Sequence, residues 1–382
     1  MLLAACASKP LPPQGLPSVS PTFPTLPSST GPTAPSTWPG DNAPLPATRL
    51  QPKSRWIPVR WAELPGFADD NLFEAWNAWL RSCERPGPVF AALCPEVRQL
   101  SIAPGEVQRQ WMTEHLQPYR VTALADTTAP SDGLLTSYFE PLIEASRTQR
   151  PGFGVPLYRP PTGLSPRGGQ PWFSRQQIDT LPEARAALAG REIAWIANPV
   201  DALVLHIQGS GRLAVREPDD SQHTVRLAFA GTNEQAYRSV GRWLIDQGQL
   251  RDASWPAIKN WIVQNPQRTQ EMLWSNPRYV FFKEEPLPET DASAGPRGAQ
   301  GVPLTAGRSI AVDPGSIPYG TPVWLATAGP TARLQRLVFA QDTGSAITGA
   351  VRADYFAGAG FEAGELAGRL KQGLQLWVLV PK

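Results

Sequence analysis

Three carboxylates near the end of the chain stand where strand ends and turns would present them. Val338-Phe339-Ala340-Gln341 delivers Asp342 from an apolar run into Thr343-Gly344-Ser345; Asp313 follows Ile310-Ala311-Val312 and precedes Pro314-Gly315; Asp354 lies between Ala353 and Tyr355-Phe356. A carboxyl group among apolar and aromatic neighbours is disfavoured in its charged form, so its pKa rises and it can serve as a general acid. Asp313 and Asp342 suit a second role equally well, capping their turns by accepting hydrogen bonds from backbone N–H groups. Asp354 has no turn signature behind it, so the expectation of proton transfer falls on Asp354.

Other chemistries find less support. Asp342-Thr343-Gly344-Ser345 after a hydrophobic strand resembles the aspartic-protease motif, but that chemistry needs a second carboxylate sharing the proton. The chain offers only Asp313-Pro314-Gly315 in its place. With 3 Cys and 3 His (His115, His206 and His223), scattered in sequence, a His/Cys metal site is not expected, and nothing points to a cofactor. His206 reads either as a lone base or as a structural histidine in an apolar run.

These residues need elements to hold them. The spacing of Leu72, Phe73, Trp76, Trp79, Leu80 and Cys83 predicts a helix with one buried face, opened by Asp69-Asp70. A second helix is expected over Glu106 to His115. Leu134 to Ile143 alternates, with Thr136, Tyr138 and Glu140 on the polar face of a strand. Ala202 to Ile207 reads as another strand, turning at Gln208-Gly209-Ser210-Gly211 and returning over Arg212 to Val215. Thr232-Asn233-Glu234-Gln235 fits a capping box opening a helix that ends near Gly248. Helices are expected from Pro256 past Trp261 and around Met272-Leu273, then a strand from Tyr279 to Phe282. The last hundred residues read as short strands at 310–312, 322–325, 337–340 and 376–380, with one helix near 362–370. Such a pattern suggests a small barrel. Most of the 14 Trp belong to the core on their helical spacing.

The 382 residues carry 35 basic and 33 acidic side chains, which speaks against a nucleic-acid partner. No apolar run reaches the 18 residues of a spanning helix. Leu3-Ala4-Ala5-Cys6 resembles the lipobox of bacterial lipoproteins. That likeness implies lipidation of Cys6 and, with Ala7 following, anchoring to the inner leaflet of the outer membrane. Residues 7–47 are rich in Pro, Ser, Thr and Gly, and 12 of the 43 prolines fall in the first 50 residues. Such a stretch cannot pack a core and is expected to act as a semi-extended tether. Cys83 and Cys94 are either disulfide-bonded or two buried thiols.

Several motifs in order then point to one family. Thr136-Ser137-Tyr138-Phe139-Glu140-Pro141, Ile207-Gln208-Gly209-Ser210-Gly211, Tyr237-Arg238-Ser239-Val240-Gly241, Asn276-Pro277-Arg278-Tyr279-Val280-Phe281-Phe282-Lys283, Ile310-Ala311-Val312-Asp313-Pro314 and Asp342-Thr343-Gly344-Ser345-Ala346-Ile347 resemble the membrane-bound lytic murein transglycosylase A family. Ser345 stands where that family usually has Gly. The likeness implies an α+β protein, mainly β: a double-psi β-barrel from both chain parts, an inserted second β-domain, and a substrate groove between them. The expected borders are a tether over 1–47, a first barrel part over 48–133, an insert over 134–278 and a second barrel part over 279–382. The likeness also implies cleavage of peptidoglycan glycan strands with formation of 1,6-anhydromuramic acid. Asp354 would be the catalytic acid and then base, assisted by Asp342 and Asp313. Tyr138, Glu140, Gln208, Ser210, Lys283, Thr343 and Gly344 would touch the glycan, strand-surface and turn roles being the alternative for each. Partners in cell-wall remodelling complexes fit the same picture. Two other readings stay open: a non-catalytic peptidoglycan-binding lipoprotein, and a hydrolytic glycosidase.

Overall fold

The computed structural model describes Trp38 and residues 41–125, 133–164, 170–287 and 294–382. Cys6 and nearly all of the expected tether lie outside the described residues. The chain is already tied down at Asp41, whose carboxylate accepts from the backbone N–H groups of Trp61 and Ala62 at 2.8 and 3.0 Å.

Among the described residues, fifteen strands follow in order. First come β1 (Arg49–Leu50), β2 (Arg55–Pro58), β3 (Leu116–Thr122) and β4 (Gly133–Glu140). Next are β5 (Leu142–Ser146), β6 (Val155–Tyr158), β7 (Glu192–Ile196), β8 (Gly211–Arg216), β9 (Gln222–Thr232) and β10 (Val280–Pro286). Last are β11 (Ser309–Val312), β12 (Pro322–Ala328), β13 (Arg333–Asp342), β14 (Arg352–Ala359) and β15 (Lys371–Pro381).

Nine of them pair in the order β1-β2-β3-β15-β12-β13-β11-β14-β4, and β4 pairs back onto β15. That extra pairing closes β15-β12-β13-β11-β14-β4 into a barrel. The β11–β13 and β14–β4 pairs are parallel and the others antiparallel. Closure removes the unpaired edges that an open sheet would present. The fold is therefore mixed α and β around a barrel, as expected.

Both faces of the barrel wall are covered. Along β13, Leu337 and Phe339 pack outward with Trp76, Trp79 and Trp324, while Val338 and Ala340 pack inward with Ile310, Val323 and Val378. Side chains alternate across a strand, so burial on both sides requires a continuous apolar run rather than an alternating one. The outward layer is the helix Leu72–Ser82 and its neighbours. Its cap is Asn71, whose side chain accepts from the Phe73 N–H at 3.2 Å, and not the expected Asp69-Asp70 pair. Asp70 instead binds the buried Arg308 at 2.7 Å and the Leu337 N–H at 2.8 Å, because it lies beneath the sheet. Cys83 and Cys94 form a disulfide, with Cα atoms 5.6 Å apart.

The second sheet has six strands in the order β10-β9-β8-β5-β7-β6. The strands of this sheet run from Leu142 to Pro286. β4 belongs to the barrel, and β10 pairs with β9. The expected strand at 202–207 is a helix, Pro199–Gln208. Asn198 caps it, Pro199 sits in its first turn, and Gly209 ends it with a φ of 78°. That end needs a residue free of Cβ strain, and the helix signals outweigh the β-like run Leu203-Val204-Leu205. The expected capping box at Thr232 is also absent. β9 runs through Thr232, and the helix Val240–Asp246 is capped by Ser239, whose Oγ accepts from the Arg242 N–H at 3.2 Å.

Candidate active site

One row of residues crosses four strands of the barrel. Ala311 in β11 pairs with Asp342 in β13 on one side and with Asp354 in β14 on the other, and Asp354 pairs with Thr136 in β4. Paired residues present side chains to one face. Strands lie about 4.8 Å apart, so the two aspartates have Cα atoms about 10 Å apart, with Ala311 on the strand between them. Two residues further along β4, Tyr138 opposes Phe356 and its ring lies 5.3 Å from that of Phe356.

The three carboxylates differ in how they are bonded. Both oxygens of Asp342 are engaged: Oδ2 accepts from the Tyr138 hydroxyl at 2.9 Å and Oδ1 from the Ala299 N–H at 2.9 Å. Burial, with a smaller contribution from the charge of Asp354, raises its pKa to about 6 against these hydrogen bonds and that of the Thr343 N–H. Asp313 is engaged more fully. Lys53 Nζ and the Gly349 N–H reach Oδ2 at 2.9 Å each, and the Gly315 N–H reaches Oδ1 at 3.0 Å. Burial opposes its charge, but these donors outweigh it and hold the carboxyl below the usual range. Asp313 is thus a turn cap in a ionised state.

Asp354 has one engaged oxygen. The Thr136 hydroxyl donates to Oδ1, and Arg352 Nη2 donates to the same hydroxyl at 2.8 Å. A hydroxyl has a single proton, so the Arg352 bond directs it toward the carboxylate. Oδ2 takes no hydrogen bond from the described residues, and the side chain keeps part of its surface open. Burial raises the Asp354 pKa; the Thr136 bond and the Arg352 charge work the other way without cancelling it. The Tyr138 hydroxyl is held protonated by burial and by both carboxylates.

The other expected contact residues separate. Tyr138 joins the acids. Thr343 Oγ1 donates to the Val312 carbonyl at 2.8 Å and fastens the Asp342 turn to the Asp313 turn. The Gly344 carbonyl accepts from the Ile347 N–H at 2.9 Å within that turn. Gln208 Oε1 accepts from the Phe139 N–H at 3.0 Å, tying the helix end to β4, and Ser210 is half-buried in the turn that follows.

Glu140 lies inside the fold rather than on a groove wall. It is fully buried, with Arg212 Nε and Arg226 Nε each at 2.7 Å. The pairing of β14 with β4 shifts register here, so that Ala359 opposes Glu140. Lys283 is exposed on β10 of the second sheet and pairs with Glu285 at 2.7 Å. His206 belongs to the helix Pro199–Gln208, and its Nδ1 is occupied by Arg175 at 2.9 Å.

Sequence reasoning did not single out Thr136, Arg352 or Ala311 as site residues. Thr136 was legible on the same strand face as Tyr138. Arg352 and Ala311 carry no sequence signal of their own, since cross-strand register alone brings them to the acids.

The comparisons agree with this architecture. A family model described as the MltA specific insert domain matches residues 134–283, and one described as the 3D domain matches residues 308–380. The chain is 33% identical over 258 residues to the membrane-bound lytic murein transglycosylase A of Vibrio cholerae, a match covering 64% of this chain and 65% of that protein. Among solved structures, a lytic transglycosylase, LtgG, of Burkholderia pseudomallei is 40% identical, with 89% of this chain and 98% of that chain covered and a TM-score of 0.59. MltA from Neisseria gonorrhoeae is 30% identical, with 88% and 95% covered and a TM-score of 0.72. Escherichia coli MltA with bound chitohexaose is 25% identical, with 88% and 94% covered and a TM-score of 0.66. The chain belongs to the membrane-bound lytic murein transglycosylase A family.

Proposed function

We propose that this protein is a peptidoglycan lytic transglycosylase in which Asp354 alone acts as acid and then base. The observation that carries this reading is the bonding of Asp354: a carboxyl group pushed toward its protonated form, with Oδ1 bonded to Thr136 and Oδ2 taking no hydrogen bond from the described residues. The family relation supports the substrate class, and the chitohexaose bound to the E. coli relative is a β-1,4-linked aminosugar chain of the same kind.

In the first step Asp354 gives its proton to the glycosidic oxygen as the bond from C1 of N-acetylmuramic acid breaks, and N-acetylglucosamine leaves as the alcohol. The resulting carboxylate takes the proton of the muramyl 6-hydroxyl as its oxygen closes on C1. The proton returns to Asp354, no water is consumed, and the product carries a 1,6-anhydro ring. An internal nucleophile removes the need for a second catalytic carboxylate, since well-placed intramolecular groups reach effective concentrations on the order of 10⁵ M. Asp342 and Tyr138 would hold the sugar on the far side of Ala311, and Asp313 would keep the turns in place.

The test is Asp354→Asn on purified sacculi, read by mass spectrometry with a melting curve alongside. A folded variant that releases no anhydromuropeptides supports the reading; release at the wild-type rate overturns it. Products heavier by one water from the wild-type protein indicate a hydrolase, and binding of sacculi without soluble product indicates a binding protein. We also propose that Cys6 carries the lipid that anchors the chain to the outer membrane. Labelling with a fatty-acid analogue, lost in Cys6→Ser, tests that step.

A further inference from the structure

The inserted sheet holds a cavity of about 640 Å³, formed by β6, β7, the helix Pro199–Gln208 and the helices Arg175–Thr180 and Thr269–Trp274. None of the three barrel aspartates lines it. Its size falls within the range of small-molecule sites.

One wall is built around a buried guanidinium. Arg175 is 4% exposed. Its Nε donates to the Asn276 carbonyl at 3.1 Å, and its Nη2 to the Arg278 carbonyl at 2.8 Å and to His206 Nδ1 at 2.9 Å. No carboxylate among the described residues forms an ion pair with it. A guanidinium has no acceptor, so His206 Nδ1 must be the unprotonated nitrogen. The proton of the neutral ring therefore sits on Nε2, which is buried and has no hydrogen-bond partner. Burial, reinforced by the Arg175 charge, keeps this ring neutral. Asp179, one turn on in the same helix, lies within reach of the Arg175 charge. The buried, unused N–H of His206 is costly unless an acceptor completes it.

The charges beside Arg175 are mixed: Asp179 sits on the same helix, and Arg185, whose Nη2 donates to the Asp179 carbonyl, lines the cavity as well. Asp179 Oδ2 accepts from Trp274 Nε1 at 2.8 Å and Gln270 Nε2 at 3.1 Å, leaving Oδ1 unengaged among the described residues. Glu192 also lines the cavity. Burial, together with the charges of Glu192 and Asp179, pushes the Tyr158 hydroxyl up to about 12, which sets both acids close to that ring. Tyr279 lies against both Arg175 and His206, its ring 5.2 Å from the guanidinium and, tilted by 54°, 4.2 Å from the imidazole.

We propose that this cavity binds a small zwitterion, its carboxylate against Arg175 and His206 and its ammonium against Asp179 and Glu192. A free amino acid and a short peptide with open ends share that chemistry. The aromatic rings between the walls would cover the ligand's carbon frame.

The test titrates the full chain with alanine, dialanine and trialanine, followed by tryptophan fluorescence, since Trp195 and Trp274 line the cavity, and by saturation-transfer NMR. The best-binding length separates a free amino acid from a peptide. N-acetylation and C-terminal amidation of that probe are each expected to weaken binding at least about tenfold, because each removes a charge-assisted contact. Asp179→Asn should abolish the penalty for N-acetylation while leaving the penalty for amidation. Arg175→Gln should do the reverse, and if it fails to fold, Asp179→Asn still decides. Absence of binding by all three probes, or equal binding of blocked and free probes, overturns the proposal.

Discussion

Asp342 and Asp354 oppose the same residue, Ala311, from its two neighbouring strands, yet their carboxyl groups are bonded in opposite ways. Asp342 has both oxygens filled by Tyr138 and Ala299, whereas Asp354 spends one on Thr136 and leaves the other open. Hydrogen-bond capacity thus separates two aspartates that share a row, a raised pKa and a neighbour.

Arg352 tunes the acid from behind Thr136. Its positive charge favours the ionised form of Asp354, so its removal raises the Asp354 pKa. An acid must be protonated to act, and activity falls as pH rises through its pKa. Arg352→Ala is expected to move the alkaline limb of the kcat/KM profile to higher pH. Thr136→Val should move it the same way. An unmoved limb in both variants would show that the relay does not reach the acid.

Asp342 should make stability depend on pH in the opposite sense from an ion-paired carboxylate. Its folded pKa is about 6, above the unfolded value, so the folded state holds the proton more tightly. Stability is then greatest below the unfolded pKa and declines as pH rises to about 6, by at most about 3 kcal/mol. Asp342→Asn should flatten this decline between pH 4 and pH 6, as read by urea melts at each pH, while reducing turnover. A decline of the same size in the variant would assign it to other groups.

Glu140 is a test of structure rather than substrate contact. Removing one partner of a buried ion cluster leaves the arginines unbalanced, which costs about 3–5 kcal/mol. Glu140→Ala is expected to lower stability by that order. The surviving folded fraction should keep a near wild-type KM for sacculi. A raised KM without loss of stability would return Glu140 to the groove.

The disulfide closes a short loop, since Cys83 and Cys94 are 11 apart in sequence. By the chain-entropy relation such a loop contributes about 3 kcal/mol. The double variant Cys83→Ser, Cys94→Ser should lose about that much in denaturant unfolding. The barrel row is built from other strands, so turnover at low temperature should persist.

Sequence and fold each decided different parts of this site. Local signals were enough for the strands at 310–312 and 337–340, whose unbroken apolar runs require cover on both faces, and for Asp313 and Asp342 at their ends. They were enough for the family too, because its motifs survive as short contiguous strings. Local signals failed where two of them competed, as in 202–207, where a β-like run lies between an Asn-Pro start and a glycine stop. They also failed where a side chain's surroundings come from distant strands. Glu140 reads as a surface residue until Arg212 and Arg226 close over it, and Arg352 reads as any charged residue until β14 sets it beside Thr136. Residue types and spacing determined which groups could carry a proton. Only strand register decided which carboxyl group kept an open oxygen, because hydrogen-bond partners across a barrel are neighbours in space and not in sequence.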